Sequence, residues 1–153
     1  MTDKHMPAKA YLRSKILNAS PMELIIILYE GAIASCAKAI ELFGPGRRNE
    51  TCEALIRAQN MIRELRNSLD MSRGEIAQGL YRLYGYMIQR LVEANVQRKR
   101  ECIDEVMRML AELKQTWVEA VEKQGGEAAL TDGLREQRLS PPTGSDSYLS
   151  FIT

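Results

Sequence analysis

Histidine is almost missing from this chain: His5 is the only one in 153 residues. A Ser-His-Asp or Cys-His relay needs an imidazole held by the fold, and an HExxH zinc helix needs two. A di-iron bundle needs paired Glu-x-x-His segments, which one histidine cannot supply. Cysteine is scarce as well. Cys36, Cys52 and Cys102 form no CxxC pair and no Cys/His cluster of zinc-site spacing. Three thiols, an odd number set far apart and mostly at apolar helical positions, read as buried cysteines of a reducing compartment. No glycine-rich loop follows a strand, since "GPGRR", Gly44 to Arg48, joins two helical stretches. No β-branched run of period two stands between turn residues, so strands are not expected. An excess of one charge is lacking too, with 21 Lys and Arg against 20 Asp and Glu. Binding to nucleic acid or an acidic bilayer would want a basic field. Only "QRKR", Gln97 to Arg100, is locally basic, and it reads as a solvated turn between helices. Glu101, Asp104 and Glu105 read as the acidic first turn of a helix, not as a catalytic pair. The reading is of a protein with no catalytic site, no metal and no cofactor. "MTDKHMPAKAY" has no apolar signal core, so a cytoplasmic location is expected.

What the chain does have is helix. In "NASPMELIIILYEGAI", Ser20 stands as N-cap, Pro21 takes the first helical position, and Glu23 completes an S-x-x-E capping box. The stretch beyond is apolar on nearly every side, leaving a narrow polar strip at Glu23, Glu30, Lys38 and Glu41. Such a helix either spans a membrane or lies inside a bundle. Its unbroken apolar run falls short of the ~20 residues a bilayer requires, and Glu30 interrupts it, so no membrane insertion is expected. Long helical patterns run from about Pro21 to Phe43, Asn49 to Leu69, Glu75 to Asn95 and Glu101 to Lys123. The short connections between them favour antiparallel neighbours. The expected fold is all-α: an antiparallel up-down four-helix bundle at 18–124, a short N-terminal helix or arm at 1–17, and a flexible C-terminal tail at 125–153. Leu24, Leu28, Leu80, Met87, Leu110 and Trp117 are expected in the core.

The third long helix carries two apolar stripes. Ile76, Leu80, Leu83, Met87 and Leu91 form one; Ala77, Tyr81, Tyr84, Ile88 and Val92 form the other, ending at Asn95. Both are needed if the helix touches two neighbours. Alternatively, part of the second stripe joins Met61 and Leu65 of the preceding helix in a groove for a partner peptide. Adaptable Met and amphipathic Tyr suit such a surface.

Taken in order, "AY" with a downstream Ile16, "ASPMELIIILYEGAI", "ALIRAQNMIRELRNSLD", "GEIAQGLYRLYGYMIQRLVEAN" and "IDEVMRMLAELKQTWVEAV" resemble the flagellin-specific secretion chaperones, the FliS family. The resemblance covers roughly Ala8 to Val121. It implies a cytoplasmic helical bundle without a cofactor or reaction. Its client would be the disordered C-terminal region of flagellin, kept from premature polymerisation and passed to the flagellar type III export apparatus, with export gate components as further partners. It also implies that Tyr11 and Ile16, which match the family's Tyr and Ile, belong to an N-terminal lid over the client groove; the alternative is a static strut that only closes one end of the bundle. Three features depart from the family pattern: Glu30 in place of Asp, Gly85 in place of Asp, and a shorter "MSRGEIA" turn. A free chaperone with an uncovered apolar patch is expected as a monomer or weak homo-oligomer. The other reading of the same bundle is an adaptor or anti-regulator that binds a different amphipathic helix.

Overall fold

Local chemistry sets the helix boundaries of this protein. The computed structural model describes residues 8–124, so His5 and the tail expected from residue 125 lie outside the described residues. The described helices are α1 (Ala8–Leu17), α2 (Pro21–Leu42), α3 (Arg48–Asn67), α4 (Glu75–Gln97) and α5 (Arg100–Gln124), with a single 3-10 turn at Met71–Arg73. At the start of α2 the capping box is complete. Ser20 Oγ accepts from the Glu23 N–H at 3.2 Å, and Glu23 Oε1 accepts from the Ser20 N–H at 2.9 Å. Past its end, Gly44 and Gly46 take φ values of 139° and 89°, which a side chain would resist. Before α4, the Asp70 side chain accepts from the Ser72 N–H to hold the short turn.

Four of the helices close a ring: α2 packs on α3 and α5, and α4 packs on the same two from the other side. Cross-helix contacts fix the register. Thr51 Oγ1 donates to the Leu42 carbonyl at 3.0 Å, while Gly31 faces Met61 further along the same pair. Asn95 Nδ2 donates to Cys52 Sγ at 3.2 Å, and Arg66 lies over the Tyr81 ring at 5.0 Å. Lys114 meets Glu30 at 3.2 Å. In the α2–α3 and α3–α4 pairs, residue numbers rise in one helix as they fall in the other. This is the antiparallel up-down bundle expected. The short N-terminal helix is present as well, and α1 sits outside the ring, pinned by Ile16, whose side chain is 2 % exposed.

The core contains Leu24, Leu28, Met87, Leu110 and Trp117, as expected. Leu80 corrects the expectation. It packs against the core from the edge, half-buried, because the core layers thin out at the end of the bundle where α4 begins. Ile76 and Met71, at the same end, are exposed. The oily α2 is also less enclosed than a centrally buried helix. Ala34 and Ala37 are exposed, and Ile26, Ile33 and Ile40 are half-buried. One flank of α2 thus faces outward with small and apolar residues, and α1 crosses it. Among the described residues no helix is long and apolar enough to cross a membrane.

Candidate functional site

A groove runs where α1 meets the outer flanks of α2 and α3. Its cavity measures about 340 Å³, within the ~300–1,000 Å³ of ordinary binding pockets. Leu12 and Ile16 line it from α1, Leu24, Ile27, Leu28, Gly31 and Ala34 from α2, and Met61 from α3, with Glu30 and Arg57 as its charged members. Glycine at position 31 is what lets the walls meet. A Cβ there would stand 2.7 Å from Met61 Sδ, so the thioether lies across bare backbone. Chemically, the groove is a place for apolar side chains with a charge at the rim. Among the described residues no three His, Cys, Asp or Glu gather as a metal site.

A second apolar surface follows the seam between α3 and α4. Tyr81 is 41 % exposed with Arg66 stacked on its ring; Ile88 is almost covered; Val92 and Asn95 are half-buried. Ile56 and Val96 stand exposed on the α3 and α4 helices. Beneath this surface Tyr84 is fully buried. Its hydroxyl meets that of Tyr29 at 2.5 Å, with ring centroids 6.5 Å apart and planes tilted by 52°. Burial pushes the Tyr29 phenol up to about 12, against smaller opposing interactions with Tyr84 and Trp117.

The residues named from the sequence as one groove therefore divide. Tyr81, Ile88, Val92 and Asn95 share the α3–α4 seam. Leu65 and Tyr84 are wholly interior, Tyr84 although it shares a stripe with the exposed Tyr81, because the neighbouring helices cover them. Met61 faces the other way, into the groove with α1 and α2. Of the two lid residues, Ile16 is buried in that groove's wall and Tyr11 is 60 % exposed. Sequence reading missed Leu12, Ile27, Gly31, Ala34 and Arg57. A signal was there: Ile27, Gly31 and Ala34 fall at helical spacing, two of them small, on a helix otherwise filled with large apolar residues.

On the outer face of α4 and α5, Glu105 accepts from the Tyr86 hydroxyl and Arg90 Nε, each at 2.7 Å, which holds its carboxyl below the usual range. Burial pushes the Cys36 thiol up to about 12 and raises that of Cys102, so neither is an activated nucleophile.

A family model described as "Flagellar protein FliS" matches residues 4–124. The chain belongs to the FliS family. It is 36 % identical over 112 residues to the flagellar secretion chaperone FliS of Salmonella typhimurium, covering 72 % of this chain and 83 % of that one. Against FliS of Bacillus subtilis the identity is 33 % over 121 residues, covering 77 % and 88 %. FliSB of Pseudomonas aeruginosa is 36 % identical over 107 residues, covering 69 % and 85 %. The FliS match ends at the last residue of α5, so it spans the whole ring of helices and both apolar surfaces.

Proposed function

We propose that this protein is a flagellar secretion chaperone: it holds the disordered C-terminal region of flagellin, prevents its polymerisation, and hands it to the export apparatus from the cytoplasm. The observation that carries the reading is the apolar surface on both flanks of α3. On one side lies the groove with Met61, Gly31 and Ala34; on the other lies the seam with Tyr81, Ile88 and Val92. A client that folds on binding loses conformational entropy, and a long shallow apolar footprint is how that cost is offset. Amphipathic helices dock in such grooves through residues at three- and four-residue spacing. The names of the Salmonella, Bacillus and Pseudomonas relatives, each a flagellar secretion chaperone, support the same role.

In this reading α1 competes with the client. Leu12 and Ile16 wall the groove and cover the flank of α2 and α3 that a client helix would use, and α1 is too short to persist alone in water, where ~12–15 residues are marginal. Client entry releases it. Export gate components then receive the loaded chaperone. The test is to mix the protein with flagellin from the same bacterium and follow both complex formation and filament growth. The proposal expects a stable one-to-one complex and arrested growth. A protein that ignores flagellin and instead captures an unrelated amphipathic helix would be an adaptor, and the proposal would fall.

A further inference from the structure

Two sequence stretches lie outside both apolar surfaces: "GPGRR", Gly44 to Arg48, joining α2 to α3, and "QRKR", Gln97 to Arg100, joining α4 to α5. In an up-down bundle these two connections share one end. They also touch, since the Arg98 guanidinium carbon stands 4.9 Å from the centre of the Phe43 ring, which precedes Gly44. The two stretches bring together Arg47, Arg48, Arg98, Lys99 and Arg100 and contain no acid. All but Arg98 are exposed. Arg100 reaches Asp104 at 3.8 Å, while no acid among the described residues pairs with Arg47, Arg48 or Lys99.

Backbone features strengthen the cationic end. Arg47 is the N-cap of α3 and makes no side-chain capping bond, so the first-turn N–H groups and their dipole add to the field. Arg98 ends α4 with φ of 56°, a left-handed position where glycine or asparagine is the usual occupant. Stacking on Phe43 holds its guanidinium there, with Nη1 buried and unpaired.

We infer that this pole docks an acidic protein segment, a short run of Asp and Glu on a second protein. The size of the cluster favours a short segment over a long polyanion. Glu41, Glu50, Glu53, Glu101 and Asp104 ring it on the adjoining helix turns, so a duplex or a bilayer laid across the end would meet carboxylates as well as cations. The inference goes beyond client binding and does not depend on it, because the cluster lies on two helix connections and the helix ends that flank them, while the apolar surfaces lie on helix flanks.

The test uses the full-length protein and a fluorescein-labelled Asp/Glu-rich peptide, followed by anisotropy across a salt series. Vesicles containing phosphatidylglycerol and a short DNA duplex are run in parallel. The peptide should bind with an affinity that falls as salt rises. The Arg47→Glu, Arg48→Glu, Lys99→Glu triple variant should weaken it by about tenfold or more. The charge-preserving Arg47→Lys, Arg48→Lys variant should bind as the parent does. A remote reversal, Arg63→Glu with Arg108→Glu, should leave the Kd within about threefold. If the triple variant does not melt as the parent does, the neutral Arg48→Gln, Lys99→Gln pair replaces it and should weaken binding in the same direction. Peptide binding that survives the pole substitutions, or that falls equally with the remote reversal, overturns the inference. So does tighter binding to vesicles or duplex than to the peptide.

Discussion

The hydroxyls of Tyr29 and Tyr84 meet at 2.5 Å in the middle of the bundle, joining α2 to α4 across the diagonal of the ring. This bond makes Tyr84 an interior strut, although it sits on the stripe that also supplies the exposed Tyr81. Removing one hydroxyl leaves the other with one partner fewer in a buried site, which costs about 1–3 kcal/mol. Tyr29→Phe and Tyr84→Phe should each destabilise by roughly that amount, and the double variant by less than the sum. Denaturant unfolding of the four proteins closes the cycle. Strict additivity would mean that the two hydroxyls do not cooperate.

The same burial predicts how the protein responds to alkali. Tyr29 titrates at about 12 in the fold, above its ordinary value of 10.0, and Cys36 at about 12, above 9.0. Between the ordinary and folded values the unfolded chain holds fewer protons than the native one, so stability falls as pH rises through that window. It is fully present below about pH 9, where both groups are protonated in either state. Melting temperature should therefore decline from about pH 9 upward, and the Tyr29→Phe, Cys36→Ala variant should decline less steeply. An equal slope in parent and variant would place the alkaline sensitivity elsewhere.

Two exposed substitutions separate the two apolar surfaces. Ala34→Glu puts a carboxylate into the groove beside Met61, and Tyr81→Glu puts one on the seam; both positions face solvent. Surface changes of this kind usually alter stability by no more than about 0.5 kcal/mol. Each variant should weaken flagellin binding at least about tenfold, the effect of putting a charge in place of an apolar contact within the interface. If only one does, titration of the pair shows which flank of α3 the client occupies.

Much of the fold is legible in the residues themselves. The capping box at Ser20 and Glu23, the glycines at Gly44 and Gly46, and the three-four spacing of Leu55, Ala58, Ile62 and Leu65 are local signals, and the observed helix ends lie within two residues of those expected. The site is less legible. Periodicity says that Tyr81, Tyr84, Ile88 and Val92 share a face; it does not say how deeply a neighbouring helix covers that face. Depth comes from tertiary packing, which buries Tyr84 and leaves Tyr81 exposed. The α1 groove is harder still. It depends on where a ten-residue helix lands and on a close approach of Gly31 to Met61, residues thirty positions apart.

Deleting residues 1–17 distinguishes a competing lid from a strut. A lid that occupies the groove lowers apparent affinity by the fraction of time it is closed, so its removal should tighten flagellin binding. Ile16 is buried, so some loss of melting temperature is also expected. Weaker binding by the shortened chain, measured on its folded fraction, would make α1 a strut.

Titration calorimetry with the C-terminal segment of flagellin tests the central claim most directly. The account predicts one segment bound per chain, with a negative heat-capacity change from apolar burial. It also predicts that flagellin lacking that segment gives no heat of binding. A flat titration with the segment, or equal binding of flagellin with and without it, would contradict the account.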